Sequence, residues 1–120
     1  MSGGGESRFP STMRLKLRRD FQRVYREGRV WKGMPFVLHV LPRAGEPQIG
    51  IVISRKWGNA VERNRMKRRL REAFRTSVRR LPAVAIIVKP TPDCRHETVE
   101  RLREKLVSAV SDVMGREVPD

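Results

Sequence analysis

Apolar residues recur along this chain with two alternating periods, and the alternation lays out the elements. Phe21, Val24 and Tyr25 fall at i, i+3 and i+4, which predicts a short helix from about Arg18 to Glu27, with Gly28 where a C-terminal cap belongs. Across residues 34–42, Phe36, Leu38 and Val40 alternate with Val37, His39 and Leu41, and this period of two predicts a strand. The turn composition of Arg43-Ala44-Gly45-Glu46-Pro47 leads into a second strand, Gln48 to Ser54, with Ile49, Ile51 and Ile53 on one face. The two strands are expected to pair as an antiparallel hairpin. Gly50, in mid-strand, points to a bulge or to a close approach by another chain segment.

Gly58-Asn59 ends the second strand, and Asn59 is a candidate N-cap for the helix that follows. At 100° per residue, Met66, Leu70, Ala73, Phe74, Ser77, Val78 and Leu81 share one side of that helix, while Arg65, Arg68, Arg75 and Arg79 cluster opposite. Pro82 prevents its continuation. Ala83-Val84-Ala85-Ile86-Ile87-Val88 is a near-continuous apolar run, the pattern of a strand covered on both sides. From about His96 to Met114, Val99, Leu102, Leu106, Ala109, Val110 and Val113 keep helical spacing beneath an outer face of mixed sign. The predicted order is helix, strand, strand, long helix, strand, helix. The chain is too short for a wound parallel sheet, so the fold class is α+β, with helices packed on a small mixed sheet. Residues 1–13, Gly/Ser-rich with Pro10, read as a disordered N-terminal leader before a single domain over 14–116.

Charge sharpens this outline. The net charge is +14, and two blocks hold all of the excess. Residues 8–32 carry nine Lys/Arg against two acids, and residues 55–80 carry eleven against two. Like charge packed so densely is a cost to the fold, and its partition into blocks points to a face for an anionic partner. A basic helix also suits a membrane surface, but here the apolar side is committed to a core. A helix-turn-helix DNA reader requires two short helices around a tight turn, and a strand directly precedes residue 59. No apolar run approaches the roughly 18 residues of a membrane span, and the first residues lack a signal-peptide core, so the expected compartment is cytoplasmic.

Catalytic chemistry is thinly represented. His39 and His96 lie on separate elements, the lone Cys94 forms no metal-binding pattern, and no Gly-rich phosphate loop occurs. Glu62, Glu72 and Asp20 read as helix caps or as local relief of repulsion. No metal ligand is assigned to the polypeptide. Phe21 and Tyr25 stand beside Arg18, Arg19, Arg23 and Arg26, an arrangement open to two readings: core anchors, or a platform on which single-stranded bases stack while cations meet phosphates. The long helix uses Arg far more than Lys. Arg gives bidentate phosphate contacts and stacks on bases, which favours a structured RNA over a diffuse electrostatic tether.

The run Ser54-Arg55-Lys56-x-Gly58-Asn59-Ala60-Val61-x-Arg63-Asn64-Arg65-Met66-Lys67-Arg68-x-Leu70-Arg71-Glu72-Ala73-Phe74-Arg75 closely resembles the signature of the bacterial ribonuclease P protein subunit. Asp20-Phe21-x-x-Val24-Tyr25-x-x-Gly28, Phe36-Val37-Leu38 and Ile49-Gly50-Ile51-x-Ile53-Ser54 extend the resemblance over roughly residues 14–115. It implies a fold like the second domain of ribosomal protein S5, with a left-handed β-α-β crossover. It also implies a holoenzyme in which a catalytic RNA subunit, with Mg2+ held mainly by RNA, removes the 5′ leader from precursor tRNA, one protein serving each RNA. On this resemblance the catalytic RNA is bound through Arg63, Asn64, Arg65, Lys67 and Arg68 and their neighbours Arg69, Arg71 and Arg75. The single-stranded leader is gripped in a cleft between the first helix and the sheet by Phe21, Tyr25 and His39, with Arg55, Lys56 and Asn59 near its end. His39 stands where many relatives carry an aromatic residue. Trp57 is bulkier than the small or aliphatic residue expected there, and either packs on the start of the helix or extends a stacking surface. The competing reading is a ribosomal or RNA-chaperone-like protein without a catalytic RNA.

Overall fold

A computed structural model describes residues 9–115 of the chain. The elements run α1 (Arg18–Glu27), β1 (Arg29–Lys32), β2 (Phe36–Pro42), β3 (Gln48–Ile51), α2 (Ala60–Arg75), β4 (Val84–Pro90) and α3 (Val99–Gly115). Short 3-10 turns at Ser11–Met13, Arg55–Trp57, Val78–Arg80 and Pro92–His96 join them. The mixed α+β class expected from the pattern is the one observed, and α1 occupies the residues its spacing predicts.

The sheet order is β1-β2-β4-β3, which corrects the expected hairpin. β2 and β3 do not pair. β4 lies between them, antiparallel to β2 and parallel to β3, with Val40 opposite Ile86 and Ile49 opposite Ile86 in the two registers. The physical reason lies in the apolar run itself. Val84, Ile86, Ile87 and Val88 are fully buried, and a strand so apolar gains most between two neighbours rather than at an edge. Its insertion displaces the local pairing that chain proximity suggests, and α2 becomes the crossover joining parallel β3 and β4.

β1 is an addition that the pattern did not predict. It is four residues long and half of them are charged, a composition suited to an edge strand. Trp31 anchors it from the inner face, 5.9 Å from the Phe36 ring, with its indole N–H donating to Asp112 at 3.1 Å.

One face of the sheet carries the main core. Phe36, Leu38, Val40, Ile86 and Val88 meet Met66, Leu70, Ala73 and Phe74 of α2 and Leu102, Leu106, Ala109, Val110 and Val113 of α3. Each buried Leu or Phe contributes about 1.5–3 kcal/mol by leaving water, so this layer is the principal clamp on α2. The helix stops at Arg75, earlier than its apolar side predicts. Thr76 Oγ1 donates to the Glu72 carbonyl and Ser77 Oγ to the Ala73 carbonyl, both at 2.8 Å, and such back-bonding competes with continued helix. Cys94 is fully buried beneath the turn before α3, and burial pushes its thiol up to about 12.

The other face is only partly covered. α1 lies across it, with Val24 and Phe21 packed against Leu15, Leu41, Ala85 and Ile87. Gly50 is here because Phe21 is: a Cβ at residue 50 would sit 2.5 Å from the ring. The glycine marks a close approach, not a bulge. The expected disordered leader over 1–13 falls partly on residues outside the described ones. Residues 9–13, however, are packed, with Phe9 6.3 Å from the Phe74 ring and the Thr12 carbonyl accepting from Gln48 at 3.0 Å.

Candidate nucleic-acid interface

α2 begins in a capping box. Asn59 Oδ1 accepts from the Glu62 N–H at 2.8 Å, and Glu62 Oε1 accepts from the Asn59 N–H at 2.9 Å. The predicted N-cap is therefore the observed one, and it occupies the Asn59 side chain in holding the helix. Arg63 Nη1 donates to the Gly58 carbonyl at 2.6 Å, tightening the same turn. Trp57 is buried beside it, with its indole N–H on the Thr91 carbonyl at 2.9 Å. The Arg95 guanidinium covers the Trp57 ring at 4.7 Å and donates to the Trp57 carbonyl. Of the two uses open to Trp57, the structure has the packing one.

The arginine face is less uniform than the sequence suggests. Asn64, Arg65 and Arg68 are exposed and Lys67 is half-buried. These four bond to no other described side chain or backbone group. Arg69 turns to the Arg95 carbonyl at 3.2 Å. Arg75 is held by Glu72 through bonds of 3.1 and 2.6 Å, which raise its pKa further. Arg71 leaves the face altogether and lies half-buried near Phe9 and Arg14. The eight residues expected to act alike thus divide: neighbouring carbonyls and Glu72 hold Arg63, Arg69 and Arg75, Arg71 lies apart beside Phe9, and Asn64, Arg65, Lys67 and Arg68 have no side-chain partner among the described residues.

The outer face of the sheet carries Phe21, seated over Gly50, and Tyr25 beside His39. The Tyr25 and His39 rings meet edge-on at 4.7 Å, and Lys89 Nζ stands 4.7 Å over the Tyr25 ring. Lys89 pairs with Val37 across the β2–β4 register, and Lys32 pairs with Val37 from β1, so both lysines share this face. Burial, followed by the Lys89 charge, holds the His39 imidazole below its ordinary range. Its buried Nδ1 has no partner among the described residues. Arg55 and Lys56, exposed in the turn after β3, lie beyond the C-terminal end of that strand. Tyr25, His39 and the two lysines set rings beside cations, the arrangement that suits stacked bases and their phosphates. Sequence reasoning missed Lys89, because the apolar run of β4 hides its alternation. It missed Phe9, assigned by composition to a disordered leader, and gave Arg14 no role. It also missed Arg95, in a short turn with no periodic signal.

No three His, Cys, Asp or Glu side chains converge as a metal-ligating set among the described residues, and no helix there is long and apolar enough to cross a membrane. A small mixed sheet, one anchored helix with a partly unpaired basic face, and a separate aromatic patch define a nucleic-acid-binding α+β protein. The sequence model of the family described as Ribonuclease P matches residues 9–114. A ribonuclease P protein component from Thermus scotoductus is 43% identical over 80% of this chain and 57% of its own length. One from Chlamydia trachomatis is 32% identical over 88% of each. The solved RNase P protein of Thermotoga maritima superimposes with a TM-score of 0.73 at 32% identity, over 83% of this chain and 96% of that one. The chain belongs to the ribonuclease P protein family.

Proposed function

We propose that this chain is the protein subunit of a ribonuclease P holoenzyme, an endoribonuclease that removes the 5′ leader from precursor tRNA, and that the RNA subunit performs the cleavage. In this reading the exposed Asn64-Arg65-Lys67-Arg68 surface docks on the catalytic RNA, and the cleft formed by Phe21, Tyr25, His39 and Lys89, bordered by Arg55 and Lys56, holds the single-stranded leader. The observation that supports it is the separation of two unlike surfaces, one cationic and one aromatic, on one scaffold. The helix surface offers guanidiniums without a ring, suited to the phosphates of a folded RNA. The cleft offers rings with few cations, suited to unpaired bases.

Magnesium is assigned to the RNA. Five of the described carboxylates suit that assignment, since Glu27, Glu72, Glu97 and Glu104 are each held by an arginine and Glu62 by the helix cap. The polypeptide supplies binding, orientation and charge neutralisation, which lower the ion concentration the RNA needs. One protein per RNA and a cytoplasmic location complete the reading. Family membership disfavours the ribosomal or RNA-chaperone-like alternative. The test adds the protein to a cognate catalytic RNA with precursor tRNA at low magnesium, where cleavage is expected to rise well above that of RNA alone. No gain would reject the proposal. In the same assay Phe21→Ala is expected to weaken binding of leader-bearing tRNA by about tenfold and to spare mature tRNA.

A further inference from the structure

The groove beside β3 carries positive charge, and no carboxylate among the described residues lines it. It encloses about 300 Å³, with Phe9, Phe21 and Ile49 among its walls and Arg14, Lys16 and Arg71 lining it. The Arg14 and Arg71 guanidinium carbons lie 5.8 and 6.0 Å from the centre of one ring, that of Phe9. Neither guanidinium makes a hydrogen bond or ion pair with another described residue. Burial, and then the Arg14 charge, hold the Arg71 guanidinium below its ordinary range. The ring offers both cations a weak attraction at this distance, while their mutual repulsion remains. A fold gains little from such a pair. An anion seated between them removes the repulsion and satisfies both guanidiniums.

The position is fixed by packing. Phe9 rests on Phe74 of α2 at 6.3 Å, and the Leu15 N–H donates to the Ile49 carbonyl of β3 at 2.9 Å. Arg14 itself forms a parallel bridge with Ile49. Phe21 belongs to both places, lining this groove while its ring covers Gly50 at the floor of the cleft. A single strand stacked at Tyr25 and continuing past Phe21 would meet Arg14 and Arg71 next. We propose that Arg14 and Arg71 form a phosphate clamp on the single-stranded leader where it passes out of the cleft, joining the two RNA-binding surfaces along the β3 edge. The clamp rests on the reading of the cleft as the leader site.

The test measures affinity of the reconstituted holoenzyme for precursor tRNA with a long leader, the same tRNA with its leader trimmed to the cleft, and mature tRNA. Arg14→Gln and Arg71→Gln are each expected to weaken binding of the long-leader substrate by about tenfold, leaving the other two unchanged. Arg14→Lys and Arg71→Lys are expected to restore part of the loss, because a point charge still meets phosphate. Equal losses on all three substrates would overturn the clamp and assign the pair to the catalytic RNA. Unchanged affinity for the long leader would overturn it as well. Thermal unfolding of each variant separates a structural role. Deleting one of two repelling charges leaves Tm level or higher, and a fall in Tm that accounts for the binding loss would sink the proposal. The wild-type protein serves as the control on the parent reading. If it fails to stimulate cleavage at low magnesium, the leader site itself is lost; if it succeeds while the variants show no leader-length dependence, only the clamp is.

Discussion

Helices α2 and α3 cover the same face of one sheet and bury stripes of similar size, yet their outer surfaces are opposites. Along α3 and its approach, charge is matched locally. Arg101 binds Glu97 at 2.9 Å, Arg80 binds Glu104 at 2.8 and 2.9 Å, and Asp112 accepts from Trp31. Along α2, the side chains of Asn64, Arg65, Lys67 and Arg68 have no partner among the described residues, although Glu72 lies on the same helix and takes Arg75. Positive charge alone does not mark the interface, since Arg101 and Arg103 are as cationic as Arg65 and Arg68. What sets the proposed interface apart is a run of adjacent cations without side-chain partners among the described residues.

Three experiments can break or sharpen this contrast. The largest effect tests its premise, that both helices are anchored alike. Leu70→Ala and Leu106→Ala, each removing a side chain about 1% exposed, are expected to cost roughly 2–5 kcal/mol apiece, read from urea unfolding. A marked inequality would mean that α2 is held chiefly by its caps. Next, Arg65→Ala with Arg68→Ala is expected to weaken catalytic-RNA binding by tenfold or more and to flatten its salt dependence by about two phosphate contacts. Arg101→Ala with Arg103→Ala on α3, both held by protein partners, is expected to change neither. Equal effects would erase the distinction between paired and unpaired surfaces.

The smallest effect lies outside both helices. His39 has its folded-state pKa lowered, so the unfolded chain binds more protons in the window just below the ordinary histidine value. Its contribution to stability is thus full above about pH 6.5 and is lost as pH falls through the lowered value. Tm curves taken on both sides of that window are expected to fall less for His39→Phe than for the wild type. Parallel curves would show that His39 does not carry the pH dependence.

The helices were legible from sequence because each builds its own periodicity. Phe21-Val24-Tyr25 and Met66-Leu70-Phe74 mark buried stripes without reference to anything distant, and Asn59 with Glu62 spells its cap within four residues. The sheet was less so. Pairing between β2 and β3 is the local expectation, and only the competition for β4, more than thirty residues on, reverses it. β1 escaped notice because an edge strand needs just one apolar anchor, Trp31. The cleft trio of Phe21, Tyr25 and His39 was found through aromatic residues beside charge and through the family resemblance. Lys89 and Arg95 could be placed only once the chain was folded. The division of the arginines was beyond sequence for the same reason: backbone carbonyls such as that of Gly58 become acceptors only in three dimensions.

Cys94 has a practical consequence for mapping these surfaces. The thiolate is the reactive form, and a buried thiol with its pKa at about 12 is almost wholly protonated at neutral pH. The native chain is therefore chemically quiet toward maleimide and iodoacetamide reagents. A cysteine introduced at exposed Lys56 or Arg65 becomes the single addressable handle, with no need to remove the native one from the core. Fluorophore pairs or cleavage-generating probes can then report where each RNA lies on a scaffold whose own sulfur stays silent.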